Sequence, residues 1–222
     1  MTKWGEIMPV SRRMELIHYA GTKGSLIIED DFENEFVYLQ KPTPSLFGLA
    51  GGHNVVYLGS FSRLLLPSIR ISFMVLPPSL ADEYHRRSDY YSQTASKAEQ
   101  IALCQFIRDG HLGAQTRRLK RLYSQKLKLL LHEVREVFGS SSQIQIGAAG
   151  TSLALTLSCP ADGAELKKQA RTRGLRLQIL KEEPGFVTLL LSCSSMPEED
   201  FAPACHLLSQ IMSELSSPAP KA

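Results

Sequence analysis

Residues 54–76 place two short apolar runs on either side of a polar loop, and this pattern restricts the fold more than any other stretch. Residues 55–58 and 71–76 are apolar and predict two strands. The loop between them contains Gly59, Ser60, Ser62, Arg63 and Arg70. Hydroxyls, backbone N–H groups and cations at a strand end can bind a phosphate, but they can equally cap a turn or a helix. The loop therefore predicts either a phosphate site or an ordinary turn.

The residues before this stretch predict an α/β fold. A helical pattern begins near Pro9 and ends near Gly24, and residues 25–30 form an apolar run that ends in acids. We interpret this run as a buried parallel strand with Glu29, Asp30 and Asp31 at its carboxyl end. Ligands of α/β sheets bind beyond the carboxyl ends of the strands, so Asp30 and residues 60–63 are expected at the same edge.

After Pro77 the pattern changes to helices, and after Gly139 strands return. Helices are predicted over residues 79–88, 92–109, 111–138, 162–173 and 197–215. Strands are predicted over residues 143–147, 152–158, 175–180 and 186–192. We predict a remaining α/β large domain over residues 1–108, a connecting helix over 109–138, a small α+β domain over 139–215 and a disordered tail over 216–222.

Composition limits the partners of the chain. The 222 residues carry a net charge of +3, which is too small to indicate a nucleic-acid partner. The long helix has a basic outer face, but no aromatic residues or recognition motif accompany it, so a solvated face is favoured. The four cysteines lack metal-type spacing and are expected to be free thiols, and no metal site is predicted. No membrane span or signal peptide is visible, and the expected location is the cytoplasm.

Three ordered stretches resemble a known family. They are IMPVSRR at residues 7–13, IEDDFENEF at residues 28–36 and YLGSFSRLLLPSIR at residues 57–70. In this order and at this spacing, they resemble the aminotransferase-like domain of MocR/GabR-type transcriptional regulators. The resemblance implies a fold-type I aminotransferase, in which the cofactor is pyridoxal 5′-phosphate (PLP). In the family this domain follows a winged-helix DNA-binding domain of the GntR type, and no such module is visible here.

The resemblance implies a cofactor site that has lost its covalent bond. The family's ring-binding aspartate matches Asp30, and the tyrosine two positions later is Phe32, which lacks the hydroxyl. Arg63 occupies the position of the Schiff-base lysine. Because a guanidinium stays charged and its lone pairs are delocalised, Arg63 cannot bond to an aldehyde, although it can bind a phosphate or carboxylate. No catalytic residue is therefore predicted.

The phosphate positions of the family match this sequence better. Ser60, Ser62 and Arg70 occupy those positions, which implies PLP or another phosphate ligand bound without a covalent bond, or no cofactor at all. The family's phosphate loop, ring-stacking aromatic residue and asparagine precede the matched region, so the resemblance implies a truncated large domain. The family's substrate-carboxylate arginine has no counterpart, and Lys181 is a weak substitute in a predicted loop over residues 181–185.

Three functions follow from these observations. The first is an inactive effector domain of a MocR-type regulator that binds an amino acid or a phosphate-bearing molecule. The second is a working aminotransferase, which needs a lysine from elsewhere, such as Lys97, or from a partner chain. The third is an interaction module without cofactor, which forms a homodimer or pairs with a regulator chain, because a truncated domain exposes apolar surface.

Overall fold

The structure is a computed structural model that describes residues 7–31, 37, 43–139, 142–159, 162–194 and 196–216. Its helices are α1 Val10–Lys23, α2 Leu46–Leu49, α3 Pro78–Arg86, α4 Lys97–Arg108, α5 His111–Phe138, α6 Gly163–Thr172 and α7 Phe201–Ser216. Its strands are β1 Ile27–Asp30, β2 Val55–Ser60, β3 Ser72–Val75, β4 Gln143–Ile146, β5 Ser152–Ser158, β6 Gln178–Glu183 and β7 Phe186–Ser192. The chain divides into two compact units, residues 7–120 and 121–222.

The N-terminal unit contains a three-stranded sheet in the order β1-β2-β3. β1 and β2 are parallel, with Ile27 opposite Val55, whereas β2 and β3 are antiparallel, with Ser60 opposite Ser72. The predicted parallel pairing of the first strand is confirmed, but its predicted burial is wrong. Ile28 is 67% exposed, because β1 lies at an edge of the described sheet and β2 provides the buried centre of this unit.

The C-terminal unit is built on an antiparallel four-stranded sheet in the order β4-β5-β7-β6. The seven residues of β5 pair with β7 along their whole length, from Ser152 opposite Ser192 to Ser158 opposite Phe186. Apolar side chains from β5 and β7 pack with those of α5, α6 and α7 into one core. Its fully buried members include Val134, Leu153, Leu155, Leu166, Leu189 and Ile211. This unit contains the larger buried apolar core of the described residues.

Most predicted elements are confirmed, and the errors have physical causes. The helix over 111–138 and the strands over 152–158 and 186–192 have their predicted bounds. The strand predicted over 175–180 is wrong at both ends, because β6 begins at Gln178 and continues through the polar residues to Glu183. β6 pairs with β7 across a tight turn in which Gly185 has φ +78°, so hairpin geometry extends a strand that polarity had assigned to a loop.

Helical spacing overestimates burial in the N-terminal unit. The helical spacing of Met14, Ile17 and Ala20 predicts one apolar face of α1. Ala20 is buried, but Met14 is 47% exposed, and the other buried position of this helix is Arg13. Ile101 of α4 is 70% exposed, and Leu103 is the buried residue of that helix. The pattern recognised the helices correctly, but which face is covered depends on elements far away in the sequence.

All four cysteines lie among the described residues and none of them forms a disulfide, as the sequence predicts. Cys104 is exposed, whereas Cys205 is buried in α7. Burial, together with the negative charge of Glu133, raises the pKa of Cys205 to about 11. Because burial disfavours the thiolate, the free energy of unfolding is highest below the ordinary thiol pKa. It falls as pH rises from that value through about 11.

This difference predicts selective alkylation. At pH 8 iodoacetamide should modify Cys104 about a hundredfold faster than Cys205, since only the thiolate reacts and the buried thiol is almost fully protonated. Peptide mass spectrometry over a time course measures both rates. In urea the two rates should converge, which provides the control. Equal rates in the folded protein would contradict the buried, neutral state of Cys205.

In the part of the chain that the structure describes, no helix is both long enough and apolar enough to cross a bilayer.

Candidate functional site

The carboxyl ends of the parallel strands β1 and β2 bring Asp30 and Ser60 to one open cleft. Asp30 is the last residue of β1, and Ser60 is the last residue of β2. The backbone N–H of Asp31 donates to the carbonyl of Leu58 at 3.1 Å, which holds the two strand ends together. The cleft has a volume of about 1220 Å³, and both Asp30 and Ser60 line it.

Three elements, β3, α3 and α4, form the walls of the cleft, and the sequence did not predict that they would lie together. β3 contributes Phe73 and Met74, α3 contributes Tyr84 and His85, and α4 contributes Cys104 and Arg108. The site therefore combines a carboxylate and a hydroxyl at one edge, apolar and aromatic walls, an imidazole on α3 and a guanidinium on α4. Sequence reasoning missed the contributions of α3 and α4, because only the tertiary packing brings these helices to the strand ends.

The loop that follows β2 folds as a tight turn. The Ser60 Oγ accepts a hydrogen bond from the Ser62 N–H at 3.2 Å, and the Phe61 N–H donates to the Ile71 carbonyl at 3.0 Å. Arg63 is partly buried in the turn, and Arg70 is exposed with a left-handed backbone at φ +48°. Arg63, Arg70 and Ser62 are not among the described residues that line the cleft. Ser60 therefore caps the turn with its hydroxyl, which is the second of the two interpretations that the sequence allows.

The remaining candidate residues lie elsewhere. Phe32 lies outside the described residues. Lys97, the lysine that an active aminotransferase would recruit, is exposed at the first residue of α4 and does not line the cleft. Lys181 was predicted in a loop but lies in β6, where its Nζ pairs with Glu183 Oε1 at 2.7 Å.

Residue 59, next to Ser60, is a glycine because the aromatic ring of Phe73 crosses its position. Gly59 and Phe73 are directly opposite in the β2–β3 pair. A Cβ at residue 59 would lie 2.3 Å from the Phe73 Cζ, and the same ring contacts Phe61 at 5.3 Å and Tyr57 at 6.2 Å between centroids. Only a residue without a side chain allows the ring to cover the strand and form a wall of the cleft.

We expect Gly59→Ala to destabilise the N-terminal unit by about 1–3 kcal/mol, because the added methyl group forces Phe73 away from its aromatic neighbours. Urea denaturation measures this loss. The double variant Gly59→Ala/Phe73→Ala should show less than the sum of the two single losses, since the clash requires both side chains. Additive losses in this cycle would contradict the assigned contact.

A buried ion pair supports the strand that carries Asp30. The Glu29 carboxylate accepts hydrogen bonds from the N–H groups of Leu46 at 2.8 Å and Phe47 at 3.0 Å, and from Arg13 at 3.3 Å. Arg13 also donates to two backbone carbonyls, at 3.0 and 3.1 Å. Glu29 therefore links α1, β1 and the start of α2 instead of facing the cleft. The sequence predicts Glu29 only as one of three acids at a strand end, and nothing in that pattern distinguishes its buried role from the position of Asp30 at the cleft.

Comparisons with known proteins assign the fold and the relatives. No protein-family model matches the chain. The uncharacterized HTH-type transcriptional regulator YhdI of Bacillus subtilis is 36% identical over 88% of this chain and 43% of its own length. The probable rhizopine catabolism regulatory protein MocR of Rhizobium meliloti is 29% identical over 81% of this chain and 36% of its own. The chain thus spans less than half the length of these curated relatives.

A solved structure shows the fold independently. LysN, an α-aminoadipate aminotransferase from Thermus thermophilus crystallised with N-(5′-phosphopyridoxyl)-L-leucine, superposes with a TM-score of 0.76. The match has 21% sequence identity and covers 95% of this chain and 56% of LysN. The architecture is therefore α/β and corresponds to part of a fold-type I aminotransferase, as the resemblance implied. The chain belongs with the MocR-type transcriptional regulators, over the region in which they resemble PLP-dependent aminotransferases.

Proposed function

We propose that this chain acts as the ligand-binding, aminotransferase-like module of a MocR-type regulator and that it performs no transamination. The observation that carries the proposal is the arginine at position 63, which follows the strand end where Asp30 and Ser60 share a cleft. Within the described part of the chain, no lysine lines this cleft. An amine that can attack an aldehyde is therefore lacking among these residues, while groups that can bind a ligand reversibly remain.

The residues of the cleft suit PLP held without a covalent bond. In PLP enzymes the cofactor supplies an electron sink for reactions of amino acids. Here the Asp30 carboxylate would keep the pyridine nitrogen protonated, and the Ser60 hydroxyl would contact the phosphate. Arg108 also lines the cleft and would add positive charge, and His85 lines it as a hydrogen-bonding group. Ser62, Arg63 and Arg70 do not line the cleft. They belong to the proposal only as further phosphate contacts that the resemblance implies, from the loop that begins at Ser60.

Cys104 provides a local test, because its exposed thiol lines the cleft. We expect pyridoxine 5′-phosphate, which has no aldehyde, to slow the alkylation of Cys104 by iodoacetamide in a saturable manner. Pyridoxine without the phosphate should protect several-fold less, since the charged contacts are lost. Peptide mass spectrometry gives the rate at each ligand concentration.

The same assay identifies the groups that recognise the ligand. Asp30→Asn should weaken protection about fivefold or more, because an amide does not hold a pyridinium as a carboxylate does. Asp82→Asn is the matched control, since Asp82 is exposed on α3 and does not line the cleft. Failure of pyridoxine 5′-phosphate to protect Cys104, or equal effects of the two substitutions, would contradict the proposed site.

Exposed apolar side chains favour a second role as a dimerisation module. β3 exposes Phe73, Met74 and Val75, and β1 exposes Ile28. Side chains of this kind on edge strands are usually covered by another chain or segment. We therefore propose that the chain forms a homodimer or pairs with a regulator chain. Light scattering coupled to size exclusion should give twice the chain mass of 24.7 kDa, and a stable, well-folded monomer would argue against this role.

A further inference from the structure

The C-terminal unit contains a second cavity, of about 400 Å³, whose lining residues all differ from those of the Asp30 cleft. We propose that this cavity, here called the α6–α7 pocket, binds a small amphipathic anion with an apolar body and one carboxylate. The pocket is lined by residues of α5, α6, β6, β7 and α7, by the segment between α6 and β6, and by Met196 between β7 and α7. This inference is independent of the function proposed for the N-terminal unit.

The inner wall of the pocket is apolar. Its main side chains are Leu130, Leu175, Leu177, Ile179, Phe201 and Leu208. Protein interiors normally close such spaces, because an unfilled apolar volume sacrifices packing contacts. The volume of this space falls within the range of small-molecule sites, which are mostly apolar with a few polar groups that fix orientation.

The polar groups of the pocket select an anion. Lys167 and Arg176 are exposed and line the pocket, and neither side chain makes a hydrogen bond or an ion pair with another described residue. The neighbouring Lys168, in contrast, pairs with Glu165 at 3.7 Å. No Asp or Glu among the described residues lines the pocket. Two cations beside an apolar wall attract a carboxylate attached to a hydrocarbon or aromatic body.

Cys205 and Ser192 complete the lining without adding negative charge. Burial keeps the Cys205 thiol protonated at neutral pH, since its pKa is about 11. The Ser192 hydroxyl lies 2.9 Å from the Ser194 hydroxyl and 3.4 Å from the Thr151 carbonyl, so it already has local partners. Lys167 and Arg176 are therefore the charged residues that line the described pocket, and Glu133, whose negative charge acts on Cys205, is the nearby acid that they outnumber. An uncharged or cationic ligand of the same shape would lack their attraction.

Octanoate is a suitable probe, because it combines one carboxylate with an eight-carbon chain. With ¹³C-labelled isoleucine δ1 methyl groups, the methyl of Ile179 reports from the pocket wall, while the exposed Ile101 methyl reports from the other unit. We expect saturable shifts of Ile179 with octanoate and no saturable shift of Ile101. Octanol should bind several-fold more weakly, and octyltrimethylammonium should not saturate the Ile179 shift.

Two kinds of variant test the assignment. Joint reversal of both charges by Lys167→Glu and Arg176→Glu should weaken octanoate binding about tenfold, and these exposed positions leave the core unchanged. Ala204→Phe should fill the pocket and weaken binding by more than about tenfold, whereas His206→Phe, on the same helix outside the pocket, should change it less than about twofold. Circular dichroism checks that the variants fold.

Three results would overturn the proposal: no shift of Ile179 with octanoate, equal binding of octyltrimethylammonium and octanoate, or unchanged octanoate binding after charge reversal.

Discussion

Arg63→Lys is expected to acquire a PLP adduct that borohydride reduction can fix at residue 63, whereas the unmodified chain acquires none there. A lysine amine can lose its proton and attack the cofactor aldehyde, but a guanidinium cannot do so near neutral pH. The adduct should rise from background to a readily measured fraction of the chains. Complete occupancy is not expected, because Phe32 lacks the hydroxyl that the family places two residues after the ring-binding aspartate.

A lysine elsewhere in the same loop provides the matched control. Leu66→Lys places the new amine three residues further on, at an exposed position that does not line the cleft. Peptide mass spectrometry after reduction should show background labelling at residue 66 and a clear excess at residue 63. Equal labelling of the two positions would mean that the amine reacts as a surface lysine, which would contradict an inherited site. The double variant Arg63→Lys/Asp30→Asn should lose much of the excess.

Glu29→Ala is expected to cost the N-terminal unit about 3–5 kcal/mol. The substitution leaves Arg13 buried without its carboxylate and deprives the N–H groups of Leu46 and Phe47 of their acceptor. Breaking one side of a buried, hydrogen-bonded pair carries this penalty, because the remaining charge is uncompensated. Hydrogen exchange at the Asp31 amide, which pairs with Leu58, reports whether the β1–β2 ladder opens.

An exposed pair of the same residue types is the control. Arg12 and Glu15 form an ion pair at 2.6 Å on α1, but their side chains are 73% and 61% exposed. Glu15→Ala should therefore change stability by less than about 1 kcal/mol. A loss below about 1 kcal/mol for Glu29→Ala, or similar losses for both substitutions, would show that the Glu29 network does not support β1. Loss of protection at Asp31 without global unfolding would support the local role.

Local patterns were sufficient for most of the fold. The apolar runs of β2 and β7 and the helical pattern of α5 are long or regular enough to specify their elements. The polar run at the end of β6 gave the wrong assignment, because its strand geometry comes from pairing with β7. Burial was similarly nonlocal, since spacing could not show that Ile28 lies on an edge strand and stays exposed.

The candidate site also has a part that the sequence predicts and a part that only the tertiary structure shows. Parallel strand ends predicted that Asp30 and Ser60 share an edge, and both line the cleft. The contributions of α3 and α4 required tertiary structure, as did the partners of Glu29 inside the protein. Arg70 shows a different limit: its left-handed backbone follows a short 3₁₀ turn at Pro67–Ile69, and nothing in its residue type indicates that conformation. The phosphate contacts assigned to Ser62, Arg63 and Arg70 are proposals, of which the variants above test position 63.

The central claim is that the unmodified chain holds a PLP-like ligand without bonding to it. Its most direct test is borohydride reduction of the full chain in the presence of PLP, followed by intact mass and peptide mass spectrometry. We predict no stoichiometric pyridoxyl adduct, only traces spread over exposed lysines, together with ligand protection of Cys104 under the same conditions. A stoichiometric adduct on one specific lysine, such as Lys97, would contradict the claim and would instead indicate a working aminotransferase site.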